Sequence, residues 1–299
     1  MFYIIVNPNA GRGAATKYAA LLEEGLRAAG IAHTSVLTTG VLDGYNKARE
    51  FCKEGDVRGI IGVGGDGTMQ EIAAALADSF PRGQKIPIPL CIYPAGSGND
   101  FVMSLVPKRG SRKKDFIQKL TERDAKTVDI ISAGSATYLN IGNMGLDAWI
   151  VKNAMDLKGR YGSRAYLAAV YKSIFSYRPI SLRIETNNKS IEDRFTLVAV
   201  CNGQYYGGGL QISPMAKTDD GKITLCLVRE MTRLKTMLIF PSLMLKKHMY
   251  LKAVEFLECS ELKITLLDET GVLCLDGNLY PASGELEFKI YEKALDVIV

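Results

Sequence analysis

A chain of 299 residues, 47% hydrophobic and 23% charged, holds enough apolar material for two cores, since single cores rarely grow past about 250–300 residues. Its 37 Lys and Arg against 32 Asp and Glu leave +5, too mild a surplus to argue for nucleic acid, and two histidines leave little material for a His-based zinc site or a Ser-His-Asp triad. The six cysteines show no CxxC spacing and most sit in apolar runs such as Leu90-Cys91-Ile92, so they read as reduced core thiols of a cytoplasmic protein, and any metal is expected on oxygen ligands.

Met1-Phe-Tyr-Ile-Ile-Val6 lacks a basic flank and stops at Asn7-Pro8, which makes it an opening strand rather than a signal peptide. Strand and helix patterns then alternate. Strands are expected at Phe2–Val6, His33–Leu37, Gly59–Val63 and Ile88–Tyr93, and helices at Ala14–Ala29, Tyr45–Cys52 and Met69–Asp78. This alternation predicts a doubly wound, three-layer α/β domain over residues 1–125, whose parallel strands end in loops facing one crevice. From Lys126 the periodicity turns to two. Strands are expected at Val128–Ile131, Tyr138–Ile141, Ser181–Thr186, Phe195–Cys201, Ile223–Val228, Leu262–Leu267, Val272–Leu275 and Leu286–Tyr291, which predicts an antiparallel β-sandwich over 126–294. Helical patterns at Arg164–Phe175 and Arg233–His248 interrupt it. The apolar run Met237–Leu245 is about half the ~20 residues of a membrane span and contains Pro241, so no span is expected.

Three strand ends in the first domain suit a polyphosphate. At Val6-Asn-Pro-Asn-Ala-Gly-Arg-Gly13 a strand enters a glycine-rich turn and then a helix, so backbone N–H groups can face an anion and Arg12 can add a charge. Thr16 stands where a GxGxxG motif needs its third glycine, and no GxxxxGK[ST] occurs. Gly64-Gly65-Asp66-Gly67-Thr68 is the stronger signal: a helix cap is expected from Asp66 or Thr68, but three glycines exceed what a cap requires, and close approach by a ligand explains them. Tyr93-Pro-Ala-Gly-Ser-Gly-Asn-Asp-Phe101 repeats the design, with Ser97, Asn99 and Asp100 at a helix start.

Asn7-Pro8 with Gly11, Gly64-Gly-Asp-Gly-Thr68 and Gly96-Ser-Gly-Asn-Asp100 resemble the nucleotide loops of the diacylglycerol kinase and sphingosine kinase family of soluble lipid kinases, particularly its bacterial branch. The similarity continues through Asn143-Met-Gly-Leu-Asp-Ala148, Gly207–Pro214, Asp219-Asp-Gly221 and Leu275-Asp-Gly277, in the right order along the chain. The resemblance implies nucleotide in a cleft between the two domains, transfer of the γ-phosphoryl group of ATP to a lipid hydroxyl with Mg²⁺, and a final strand that returns residues 295–299 to the first domain. It carries nucleotide contacts onto Asn7, Pro8, Asn9, Ala10, Gly11, one of Thr38 or Thr39 (Thr39 being chosen), Gly64, Gly65, Asp66, Gly67, Thr68, Met69, Gln70 and Ser97, which stands where threonine is usual; Asn99 and Asp100 are added from the third loop. A structural Mg²⁺ is implied at Asp220 with the carbonyls of Lys217 and Lys222. Relatives have Asp-Gly-Glu where this chain has Asp276-Gly277-Asn278, so the general base is Asp276 if the aspartate serves; if the glutamate serves, Asp66 or Asp276 must take over.

The expectation is therefore a lipid kinase in which Asp66 holds magnesium and Asp276 deprotonates the acceptor, diacylglycerol being the first candidate and a sphingoid base, ceramide or phosphatidylglycerol the alternatives. An NAD kinase shares the glycine–aspartate loop, and a low-activity nucleotide-dependent lipid-binding protein is the reading from another class. A lipid acceptor implies a peripheral membrane surface as partner. Lys108-Arg-Gly-Ser-Arg-Lys-Lys114 and Met231–Tyr250 are the segments suited to it, a solvated loop and a packing helix being their plainer readings; a homodimer stays open.

Overall fold

The computed structural model describes residues 1–106, 115–152, 173–268 and 270–299. Strands β1 (Phe2–Val6), β2 (His33–Leu37), β3 (Gly59–Gly64) and β4 (Leu90–Pro94) pair in parallel in the order β2-β1-β3-β4. The helices are α1 (Ala14–Ala28), α2 (Asp43–Phe51), α3 (Asp66–Ser79), α4 (Asp100–Leu105) and α5 (Phe116–Glu122). On one face Leu22 and Leu26 of α1 and Phe116 and Leu120 of α5 pack on Ile4, Val6 and Ile61. On the other, Ala48, Ile72, Leu76 and Phe101 pack on Ile5, Ile60 and Ile92. Being covered on both sides is why β1 and β3 are continuous apolar runs.

The second domain contains β5 (Lys126–Ala133), β6 (Ala136–Tyr138), β7 (Ile141–Gly145), β8 (Ile180–Thr186), β9 (Ser190–Cys201), β10 (Tyr205–Tyr206), β11 (Leu210–Gln211), β12 (Ile223–Arg229), β13 (Val254–Cys259), β14 (Glu261–Leu266), β15 (Gly271–Leu275), β16 (Asn278–Ala282) and β17 (Glu285–Ile298). Alternation along β9 sends Val198 and Val200 into the sandwich core with Phe195, Leu225, Ile264 and Phe288. Leu197, Ala199 and Cys201 face the other way, under Ile239 and Leu243 of α6 (Arg233–Met244). The described cysteines are all free thiols, and five of the six are buried.

The last strand joins the domains. β17 runs antiparallel to β14 and β5, shifts register between Tyr291 and Leu295, and ends parallel to β4 with Val297 opposite Leu90 and Ile298 opposite Cys91. One hydrogen-bonded ladder therefore passes from the sandwich into the α/β sheet.

Several expectations are corrected. The single strand expected over 138–141 is instead the end of β6 and the start of β7, because the chain turns there to aim successive N–H groups at Asp276. The helix expected to reach His248 stops at Met244, and His248–Tyr250 forms a separate 3-10 turn. The basic run 108–114 and most of the helix expected over 164–175 lie outside the described residues. Among the described residues no helix is long and apolar enough to cross a membrane.

Candidate active site

The three predicted loops come together at the carboxyl ends of β1, β3 and β4. Asn7 N donates to Val63 O, and Ala95 N and Gly96 N both donate to Gly64 O at 2.8 and 2.9 Å, so the loops are stitched to one another through the backbone. The glycines divide into two kinds. Gly65 and Gly96 touch: a Cβ on Gly96 would overlap Gly65 Cα, and one on Gly11 would overlap Ala95 O. These residues are small because loops pack on loops. Gly67 is different, since a Cβ there would meet nothing within 4 Å. Its bare face opens into a cavity of about 640 Å³ lined by Asn7, Asn9, Ala10, Gly11, Arg12, Thr38, Gly40, Gly65, Thr68 and Ser97, among others.

Asp66 does not sit in the turn as expected. Helix α3 begins at Asp66 with Gly65 as its N-cap, and no side chain caps it. The Asp66 carboxylate instead reaches across to the start of α4, where its Oδ1 accepts from Phe101 N at 3.1 Å. Thr68 likewise caps nothing; its Oγ1 accepts from Asn7 Nδ2 at 3.2 Å and locks the first loop to the second. Burial, with the neighbouring Asp100 charge, pushes the Asp66 carboxyl up to about 6 against the amides that hold it. The Asp66 and Asp100 carboxylates flank Gly98, whose missing Cβ leaves them room.

A second cavity, of about 570 Å³, lies between the domains and shares Ser97 with the first. Its lining mixes acids (Asp66, Asp100, Asp147, Asp276) with apolar Ile141, Ile150, Val151 and Leu210. Asp276 enters it from the β15–β16 turn, held with φ at 47°. Leu139 N donates to Oδ2 at 2.8 Å, Ile141 N to Oδ1 at 2.8 Å, and Asn140 N to both oxygens. Three peptide N–H groups leave about one of the four acceptor positions of a carboxylate for an incoming hydroxyl. Burial nonetheless pushes this carboxyl up to about 7, outweighing those amides, with Asp66 adding to the rise. Asp147 is pushed up to about 7 by burial while the Tyr206 hydroxyl donates to it. Asn140 Oδ1, Asn143 Oδ1 and Asp147 Oδ2 have no hydrogen-bond partner among the described residues, so this cavity presents unmet acceptors.

Some predicted residues take other roles. Thr39 donates from N and Oγ1 to Asp43 Oδ2 at the start of α2, and it is Thr38 that lines the first cavity. Pro8 shapes the turn and lines neither cavity. Met69 is buried beneath β3 against Gly62, and Gln70 points away from the loops toward the second domain, where its Nε2 donates to Thr137 O at 3.0 Å. The Asn99 side chain closes its own loop onto Gly96, and Asp100 Oδ2 accepts from Gly208 N of the β10–β11 turn. Asn278 stands outside both cavities and donates from Nδ2 to Gln70 Oε1 at 2.7 Å. Sequence reasoning missed Glu71 and Gly40 in the lining of the first cavity and did not settle Tyr206 in that of the second; none has a motif to find it by.

The turn 217–222 packs on Asp129, a fully buried acid that accepts from Gly221 N at 2.8 Å and Lys293 N at 2.7 Å. Burial raises the Asp129 carboxyl, and the nearby Asp220 and Glu292 charges raise it further. Lys222 Nζ pairs instead with Glu258. The negative charge that Asp220 and Glu292 set beside Asp129 at this turn fits a hard cation.

Residues 1–133 match the diacylglycerol kinase catalytic domain, and residues 141–299 match the YegS C-terminal NAD kinase beta sandwich-like domain. A protein of Chromohalobacter salexigens named "Probable lipid kinase YegS-like" is 32% identical over 197 residues, which cover 65% of this chain and 61% of that protein. The "Diacylglycerol kinase" of Bacillus subtilis is 25% identical over 281 residues, 92% of this chain and 88% of the relative. The chain thus spans about three fifths of the length of the first relative and most of the second. A diacylglycerol kinase structure from Bacillus anthracis superposes with a TM-score of 0.70 at 21% identity, covering 99% of this chain and 96% of that one, a likeness of fold. With an α/β domain and a β-sandwich each matched over nearly its whole length, the chain belongs to the diacylglycerol kinase-like family of lipid kinases.

Proposed function

We propose that this chain is an ATP-dependent lipid kinase that moves the γ-phosphoryl group of ATP to a lipid hydroxyl, with diacylglycerol, giving phosphatidic acid, as the first acceptor to test. The observation that carries the reading is the meeting of two cavities at Ser97, one walled by glycines and loop backbone, the other by Asp66 and further acids with apolar side chains. Phosphoryl transfer needs positioning and charge neutralisation more than covalent help. The loops Asn7–Gly11 and Gly64–Thr68 supply the positioning, with Arg12 at the rim and the N-terminus of α3 facing the same space.

Mg²⁺ would neutralise the phosphates. Asp66, carrying a like charge beside it at Asp100, fits it, and no three described acids or thiols form a metal cage unaided, so phosphate and water would complete the shell. A second Mg²⁺ fits Asp220 with the carbonyls of Lys217 and Lys222, as a brace for the turn over Asp129. Asp276, fixed by three amides and pushed up to about 7, is oriented to take the acceptor's proton near neutral pH. The unmet acceptors on Asn140, Asn143 and Asp147 suit an acceptor lipid with hydroxyl donors. Because Asn278 lines neither cavity, the amide there removes no base from the acceptor side.

The test is incubation of the purified chain with labelled ATP, Mg²⁺ and mixed micelles of diacylglycerol, phosphatidylglycerol, sphingoid base or ceramide, with NAD as a separate arm. Label in a lipid supports the reading and names the acceptor. Label in NAD alone, or in nothing, overturns it.

A further inference from the structure

Helix α6 is apolar on two sides. Ile239 and Leu243 are buried against β9 and β12, and Met237 packs beside Ile150 and Trp149. Leu234, Leu238, Met244, Leu245 and Tyr250, in the helix and the turn after it, are between 63% and 82% exposed. A helix apolar all round belongs where both faces are covered. From Met231 to Ala253 the chain also carries five cations, Arg233, Lys235, Lys246, Lys247 and Lys252, and no acid. None of the five joins an ion pair among the described residues, and the preceding Glu230 is engaged by Arg194.

We propose that the outer face of α6 and the turn through Tyr250 rest on an anionic lipid bilayer, with Leu234, Leu238, Met244 and Leu245 in the acyl boundary and the five cations at the headgroups. Exposed leucines among lysines, with an aromatic at the end, are the composition of an interfacial segment. Charge decides between this occupant and a second copy of the chain. A two-fold contact would bring two copies of this acid-free, basic face together, whereas anionic headgroups offset its cations. The position fits as well: Ile150, which α6 touches through Met237, and Leu210 of β11 both line the cavity holding Asp276, so a bilayer on the outer face of α6 is separated from the wall of that cavity by the helix alone. Seating on the bilayer does not depend on turnover, and the inference stands or falls apart from the kinase reading.

The experiment is co-sedimentation of the full chain with vesicles of phosphatidylcholine containing phosphatidylglycerol, and with phosphatidylcholine alone, at low and high salt. The chain is expected to pellet with the anionic vesicles and to be released by salt. Leu234→Glu with Leu238→Glu, and separately Lys235→Glu with Lys246→Glu and Lys247→Glu, should each weaken partitioning by about tenfold or more with thermal unfolding unchanged. A chain left in the supernatant, equal binding to neutral vesicles, or both variants binding like wild type overturns the proposal. So does a dimer in light scattering that the leucine variant converts to monomer.

Discussion

Asn278 Nδ2 donates to Gln70 Oε1 at 2.7 Å, and through Gln70 the β15–β16 hairpin is tied to the helix that carries Asp66. Gln70 is buried and also meets the Tyr280 hydroxyl, so Asn278→Ala removes one of its hydrogen bonds, the one to Oε1, and should cost about 0.5–1.5 kcal/mol in urea unfolding. Asn278→Glu would set a carboxylate against that oxygen unless the Gln70 amide turns over and gives up Thr137. It should therefore lower stability without raising turnover in the micelle assay, and a large gain of activity would assign position 278 to proton transfer.

Asp276→Asn should lower the transfer rate by about 10²–10⁴-fold, the range of general-base assistance. In the wild type the rate should rise with pH through about 7, as Asp276 loses its proton, and level off above; the variant should lack that rise. Because an amide would place donors against the N–H groups of Leu139, Asn140 and Ile141, the variant should also unfold at lower temperature, so rates are compared at a temperature where both are folded.

Asp66, Asp147 and Asp276 are all raised in the folded chain, to about 6, 7 and 7, from 3.8. The native state then keeps protons that the unfolded chain has released. Their contribution to stability is fully present below the unfolded value and is lost as pH climbs through that window. Thermal midpoints should fall between about pH 4 and pH 7, from the unfolded value to the highest folded ones. Asp147→Asn should flatten the fall, and an unchanged slope in that variant would remove Asp147 from the effect.

The two kinds of glycine should separate under substitution. Gly96→Ala drives a methyl into Gly65 Cα and should cost about 1–3 kcal/mol as the loops are forced apart. Gly67→Ala meets open space inside the first turn of α3, so it should leave stability unchanged or raise it by up to about 1 kcal/mol. Its methyl projects into the cavity lined by Gly11, Thr38 and Ser97, and if ATP sits there as proposed the expected loss is in KM for ATP. Equal thermal midpoints for both variants would count against the loop packing.

Mg²⁺ without nucleotide should raise the thermal midpoint by binding the native turn 217–222, and Asp220→Asn should abolish most of that rise while leaving the metal-free midpoint close to wild type. Asp129→Ala, which orphans the N–H groups of Gly221 and Lys293, should cost about 1–3 kcal/mol for each.

The strand–turn–helix order of the first hundred residues is legible because each element carries its own period and each turn its own glycines, and β1, β3 and α1 fall within a residue of their expected ends. The acids Asp66 and Asp276 are equally visible, one in a glycine loop and the other in a motif. Their surroundings are not. Asp276 takes its N–H donors from 135 to 137 residues away, and Asp66 caps α4 rather than its own α3, because burial of a charge is resolved by whichever amides the tertiary fold brings near. Tyr206 and Asp147 meet across a cavity whose lining has no sequence period, and Thr38 and Thr39 are distinguished only by which one the helix α2 claims through Asp43.

The pairing of Val297 and Ile298 with β4 also bears on how the molecule is made. During synthesis the first hundred residues emerge with the β4 flank of their sheet unpaired, and that flank finds its neighbour only after the whole sandwich has been translated. An open strand edge at that stage is a template for wrong partners. Ribosome-stalled chains ending before Val297 should therefore bind holdase chaperones and stay sensitive to protease within 1–125, and a fragment ending at Ala133 should aggregate unless supplied with a peptide of the last strand.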